Sequence, residues 1–153
     1  MILDKIITRD RIKTGLSDLD KWTVIEDLAE LIAAGDEGSD RETLLNDTLK
    51  REHTESTGIG KGIAIPHART TGVTDLIGAL GTSQAGLDFE AKDGEPCHLV
   101  FLILAPAKET TRYLKALKAV ACIGQDEELA ARLRSAASPD EVISILGEVE
   151  TCS

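Results

Sequence analysis

Ser56-Thr57-Gly58-Ile59-Gly60-Lys61-Gly62-Ile63-Ala64-Ile65-Pro66-His67-Ala68 joins two halves with different physics. The first half places a glycine at every second position. Such a loop can turn its backbone N–H groups inward, because glycine tolerates φ > 0 and lets an anion approach closely. The second half, Ile63-Ala64-Ile65, is a short apolar run that reads as a buried strand. Pro66 has no N–H to give to a sheet ladder, so the strand is expected to stop there. His67 is then delivered at a strand end beside an anion-friendly loop. An imidazole fixed next to a phosphate-sized pocket points to a histidine that carries a phosphoryl group. Two better-known phosphate motifs match only weakly. A P-loop needs Ser or Thr after its lysine, and Lys61 is followed by Gly62; a dinucleotide fingerprint begun at Gly58 and Gly60 needs glycine where Ile63 stands.

The 153 residues fit one domain, 1–153, large enough for a real core. A content of 42% hydrophobic and 29% charged residues is ordinary for a globular protein. The formal net charge of −10 opposes binding to nucleic acid or to an anionic membrane surface and suits a basic protein partner. No apolar run reaches the ~18 residues of a membrane helix, and Met1-Ile2-Leu3-Asp4-Lys5 lacks the apolar core of a signal peptide. Cys97, Cys122 and Cys152 are odd in number and widely spaced, which reads as thiols in a reducing compartment and not as a disulfide framework or zinc site. The expected location is the cytoplasm.

Upstream, a helix is expected to open at Ser17 or Asp18 and end at Gly35, with Leu19, Trp22, Ile25, Leu28, Ala29 and Ile32 on its buried face. In that stripe Trp22 reads as a core residue. Ser39-Asp40-Arg41-Glu42 has the spacing of a capping box for a second helix that runs to Arg51-Glu52-His53. Arg51 would then lie at a helix C-terminus, where the macrodipole favours a cation. Downstream, Arg69-Thr70-Thr71-Gly72 reads as a polar turn. Leu76–Thr82, Leu87–Phe89 and His98–Leu104 read as strands, the last the most hydrophobic and therefore central, with Lys92-Asp93-Gly94-Glu95 as a hairpin turn. Three helices follow: Glu109 to about Cys122, with Leu114, Leu117, Val120 and Ala121 inside; one from Asp126; and one capped by Ser138 with Pro139 at its first position. Helices, then strands, then helices predict an α/β fold with a mixed parallel and antiparallel sheet sandwiched between helices.

The stretch from Glu52 to Ala68 resembles the type-2 EIIA domains of the bacterial phosphoenolpyruvate-dependent phosphotransferase system. The resemblance is carried by Glu52, Ile59, Gly60, Ile63, Ala64, Ile65, Pro66, His67 and Ala68, with Arg51 and Ser56-Thr57-Gly58 matching beside them. It continues through Gly86-Leu87-Asp88-Phe89, Asp93-Gly94-Glu95-Pro96 and Leu99-Val100-Phe101, and covers nearly the whole chain. A short chain with nothing fused to it looks most like the nitrogen-regulatory branch. The resemblance implies that His67 accepts a phosphoryl group on Nε2 from a histidine of HPr or its paralogue. The group comes ultimately from phosphoenolpyruvate, and no cofactor or metal is implied. Its onward partner would be a separate EIIB or a regulatory target.

Neutral imidazole offers one lone-pair nitrogen near pH 7, and a carrier must fix the tautomer through the other nitrogen, for which a backbone carbonyl is the expected partner. The expected phosphate clamp is Arg51 with the N–H groups around Thr57–Gly60, which include Gly58 and Gly60. The hydroxyls of Ser56 and Thr57 either join that clamp or cap the loop, and the two readings stand level. Glu52 is expected to anchor the loop, beside the motif's Pro66. Where relatives carry a second histidine in the setting His-Leu-x-x-Leu, this chain has Tyr113-Leu114-Lys115-Ala116-Leu117. Tyr113 and its neighbour Arg112 are therefore the substitutes expected at the phosphate. That departure keeps another class of function open, an interaction module whose phosphorylation is vestigial; a sugar-specific transport role is a third reading. His53 and His98 do not match a metal-ligand spacing with His67, and helix-dipole and packing roles are expected for them.

Overall fold

The computed structural model describes residues 2–17 and 19–149. Its elements run α1 (Leu3–Ile6), a 3-10 turn at Arg9–Arg11, β1 (Ile12–Lys13), α2 (Lys21–Gly35), α3 (Arg41–Thr54), β2 (Gly58–Gly60), β3 (Ile63–Ala64), β4 (His67–Arg69), β5 (Ile77–Leu87), β6 (Cys97–Ala105), α4 (Thr111–Ile123), α5 (Glu127–Ser135) and α6 (Pro139–Leu146). The sheet order is β1-β5-β6-β3-β2, with β4 also paired to β6. β5 and β2 lie antiparallel to their partners β6 and β3, while β1, β3 and β4 pair in parallel. The mixed sheet and the central place of the most hydrophobic strand are as the pattern predicts.

Strand alternation sorts the apolar residues into two cores. Leu99, Phe101, Ile103, Ile63 and Ile65 face α1, α4, α5 and α6. Val100, Leu102, Leu104, Ala64 and Ala68 face α2 and α3. His67 follows Ile63 and Ile65 at even spacing and sits opposite Ile103, so its position belongs to the α4 face.

Several sequence expectations shift. β3 stops ahead of Pro66, as expected, but a new strand, β4, starts at once at His67 beside β6, and the Pro66 carbonyl accepts from Ile103 N–H at 3.0 Å. A missing donor is tolerated because that position needs only an acceptor. The helix caps lie elsewhere. Asp20 caps α2 by accepting from Thr23 N–H, with Asp18 outside the described residues, and Asp40 rather than Ser39 caps α3 through Thr43 N–H. Trp22 is half-buried and stacked on His53, ring centroids 4.3 Å apart, because Lys21 takes the inward position at the helix start. Leu114 is 56% exposed, one residue out of phase with buried Tyr113. The strand expected at Leu87–Phe89 is instead the end of β5, which reaches Leu87 through an irregular register after Thr82. Cys97 is a buried free thiol, but Cys122 is disulfide-bonded, contrary to the thiol expectation; Cys152 lies outside the described residues.

Candidate functional site

The glycine loop is a hairpin. Gly60 pairs with Ile63, leaving Lys61-Gly62 as a two-residue turn with φ of 60° and 78°, the double-positive geometry that favours glycine. Gly58 serves close packing, since a Cβ there would lie 2.8 Å from the Ala91 Cα. The alternating glycines are thus explained without an anion. Thr57 N–H is given to Glu52 Oε2 at 2.9 Å, Gly58 N–H to Ser56 Oγ at 3.2 Å, and Lys61 N–H to Asp93 at 3.0 Å. The Ser56 hydroxyl bonds the Phe89 carbonyl, and the Thr57 hydroxyl bonds Glu52 Oε1 at 2.6 Å. Ser56, Thr57, Gly58 and Gly60 are therefore not brought together as a phosphate clamp, and both hydroxyls hold the loop.

His67 instead lines an open cleft of about 430 Å³ with Asp47, Lys50, Arg51, Thr54, Ala68, Arg69 and Tyr113. Three elements build it. In α3, residues 47, 50, 51 and 54 share one helical face. Its position against β4 is held by Thr70, whose hydroxyl donates to Asp47 at 2.6 Å. In β4, His67 and Arg69 fall on the same face. From α4 comes Tyr113, 5% exposed, its ring centroid 6.3 Å from that of His67. Arg112 is turned away and pairs with Asp75 and Glu109 at 3.4 Å each, because adjacent helical residues point in different directions. It is not part of the cleft. Arg51 caps its own helix by donating to the Glu55 carbonyl at 3.0 Å while its side chain lines the cleft, so the expected helix-end role and a place at the site coexist.

The imidazole is fixed by a chain of contacts. Lys21 Nζ lies 3.3 Å from Glu52 Oε2, and the two side chains are 5% and 0% exposed. The Glu52 carboxylate grips Thr57 twice. The Thr57 carbonyl accepts from Ile65 N–H at 3.0 Å. The Ile65 carbonyl then accepts from His67 Nδ1–H at 2.6 Å. With Nδ1 as the protonated nitrogen, Nε2 keeps its lone pair on a ring that lines the cleft. Glu52 thus anchors the loop, as its place in the sequence predicts. Lys21, Arg69, Lys50 and Asp47 are not singled out by motif reading, though the helical spacing 47, 50, 51, 54 and the strand spacing 67, 69 carry their signal.

Burial lowers the pKa of His67 from 6.5, and the nearby Arg51 charge lowers it further; the Ile65 hydrogen bond and Glu52 act the other way. A lowered folded-state pKa means that the unfolded chain binds a proton near pH 6.5 that the native ring refuses. Stability is therefore expected to fall as pH drops below 6.5 toward the lower native value. Histidine NMR titration checks this: the His67 midpoint is expected below that of a free histidine, and a midpoint above it would reverse the electrostatic reading. Burial likewise pushes the Tyr113 hydroxyl up, against the pull of Arg69 and Arg51, so it stays protonated at neutral pH.

The other two histidines are occupied elsewhere: His53 stacks on Trp22, and His98 Nδ1 lies 2.8 Å from the Ser83 carbonyl. Among the described residues no group of three or more His, Cys, Asp or Glu converges as a metal site, and no helix is long and apolar enough to cross a membrane.

Residues 5–149 match the family described as phosphoenolpyruvate-dependent sugar phosphotransferase system, EIIA 2. The chain is 35% identical to the fructose-specific EIIABC component of Bacillus subtilis over 97% of its own length, but spans only 23% of that protein. It is 34% identical to a nitrogen regulatory protein of Pseudomonas aeruginosa, covering 97% of this chain and 96% of that one. The crystal structure of nitrogen regulatory protein IIA-Ntr from Neisseria meningitidis superposes with a TM-score of 0.86 at 28% identity, covering 95% of this chain and 99% of the other.

Proposed function

This chain belongs to the EIIA 2 family of the phosphoenolpyruvate-dependent sugar phosphotransferase system, and from that membership we propose that Nε2 of His67 is its phosphoryl acceptor. The protein is a phosphotransferase component with a phosphoryl-carrier or regulatory role. The donor we assign is a phosphohistidine on an HPr-like phosphocarrier. The phosphoryl group derives from phosphoenolpyruvate, a metabolite of the cytoplasm, and we place the protein there. The observation that carries the proposal is the 2.6 Å bond from Nδ1 to the Ile65 carbonyl, which leaves Nε2 as the nucleophilic nitrogen in a cleft that also holds Lys50, Arg51 and Arg69.

In the transfer, the Nε2 lone pair attacks phosphorus as the donor's N–P bond breaks. The Nδ1 proton stays on the ring, held by Ile65. Such transfers depend mostly on positioning and on stabilising spread negative charge. Arg51 supplies a guanidinium suited to two phosphoryl oxygens. Tyr113 closes one side of the cleft with a neutral ring. From this point the group passes to an EIIB-type domain, or its presence on His67 is itself the signal to a regulatory partner.

Incubation with phosphoenolpyruvate and the general phosphotransferase components, followed by mass spectrometry, tests the assignment. An acid-labile, base-stable phosphate on His67 is expected. Absence of label would leave a docking module in place of a carrier. Under the same conditions Arg51→Ala is expected to weaken phosphoryl stabilisation by ~1.5–3 kcal/mol, the worth of a charge-assisted contact. Unchanged labelling kinetics would remove Arg51 from the site.

A further inference from the structure

Arg69 lines the cleft but has no role in the transfer described above. It leaves β4 two residues after His67, on the same face of the strand, with the two Cα atoms about 7 Å apart. Its guanidinium carbon lies 5.3 Å from the centroid of the Tyr113 ring. Among the described residues its side chain forms no ion pair and no hydrogen bond, whereas the Arg51 side chain is held by the Glu55 carbonyl and that of Arg112 by two carboxylates. A guanidinium resting on an aromatic face interacts through its flat surface and keeps its in-plane N–H donors available. The platform is buried and the arginine is exposed, so the ring is fixed and the cation is free to swing.

We propose that Arg69 is a second phosphoryl-binding residue, held ready on the Tyr113 ring and released onto the phosphoryl oxygens when His67 is loaded. The proposal rests on the phosphohistidine reading and adds to it. The bonds made and broken are the same: Nε2–P forms, the donor's N–P bond breaks, and no electron or proton is exchanged. What changes is the charge at the cleft, which gains a phosphoryl dianion. That dianion offers Arg69 charge-assisted hydrogen bonds, which are stronger than the cation–π contact it would give up. A neutral ring at residue 113 suits this arrangement, because a ring able to become cationic would repel the arginine it supports.

The test uses the full chain and phosphoramidate as a small phosphoryl donor, so that protein docking does not enter. Wild type, Arg69→Gln and Arg69→Lys are loaded and followed by phosphorus NMR across pH. In Arg69→Gln, the titration midpoint of the phosphoryl group on His67 is expected to rise, since a neighbouring cation favours the dianion. Labelling at limiting donor is expected to fall about tenfold. Arg69→Lys, which keeps the charge and loses the planar fork, is expected to lie between. The denaturation midpoint of both variants is expected to match wild type, because the side chain is exposed. If wild type loads on His67 but all three proteins share one phosphoryl midpoint and one labelling extent, Arg69 does not bind the group. If wild type does not load at all, the acceptor assignment itself fails, and the Arg69 proposal with it.

Discussion

His67→Gln is expected to abolish phosphate incorporation completely while leaving the fold in place. Glutamine is close to imidazole in size, and its amide can still donate to the Ile65 carbonyl that now accepts from Nδ1. It has no nitrogen lone pair with which to attack phosphorus. Neither remaining histidine can substitute, since His53 is stacked on Trp22 and His98 is tied to Ser83, and neither lines the cleft. The stability change is expected to stay within about 1 kcal/mol, as for most substitutions that keep size and hydrogen bonding. Intact mass after exposure to the phosphoryl donor gives the first result and urea unfolding the second. A variant that still takes up acid-labile phosphate would show that the acceptor lies elsewhere.

The second large effect is expected at Glu52. Its carboxylate is fully buried, lies 3.3 Å from the buried Lys21 ammonium, and receives both donors of Thr57. Glu52→Gln removes the compensating charge and leaves the Lys21 ammonium with the largely exposed Glu90, 3.7 Å away, and the Trp22 ring face, 4.8 Å away. Breaking a buried pair from one side costs about 3–5 kcal/mol, because the remaining charge has lost its partner without regaining water. The solvated Glu90 carboxylate places this case near the lower end. The pairing of Lys21→Met with Glu52→Gln is expected to recover much of the loss, since two uncharged groups no longer need each other. A single-variant cost below about 1 kcal/mol in urea unfolding would mean that Lys21 finds water and that the pair is not a structural lock. The same variant should also loosen the imidazole, because Glu52 stands three hydrogen-bonded links upstream of it, through Thr57 and Ile65.

The fold is legible because its apolar signals are strong. The unbroken apolar run Leu99–Leu104 places β6 at the sheet centre, and the helical apolar stripe of Ile25, Leu28, Ala29 and Ile32 lays α2 against one face. Caps were displaced by one to three residues because several acceptors compete at each helix start: Ser39 and Asp40 are neighbours, and only the local backbone decides which of them meets Thr43 N–H. In the candidate cleft, the motif singles out His67 and Arg51, which both line it, and the expected backbone carbonyl partner of the ring is that of Ile65. The glycine loop was misread for a physical reason. Glycine spacing alone does not distinguish a nest that turns N–H groups toward an anion from a tight hairpin that needs positive φ. Only the pairing of Gly58 with Ala64 and Gly60 with Ile63 separates them. Arg69 is hidden by reading Arg69-Thr70-Thr71-Gly72 as a polar turn. The new strand β4, His67–Arg69, puts residue 69 on the face of residue 67, and the arginine lines the cleft. Arg112 and Tyr113 show the converse: sequence adjacency suggested a shared role, and helical geometry sends one to Asp75 and the other to the cleft.

The Nδ1 contact with Ile65 makes the account testable at a single atom. The direct measurement is nitrogen and phosphorus NMR of the loaded protein labelled with nitrogen-15 histidine. Coupling between phosphorus and Nε2 of His67 is expected, with Nδ1 still carrying its proton. Phosphorus bonded to Nδ1, or to any residue other than His67, would contradict it.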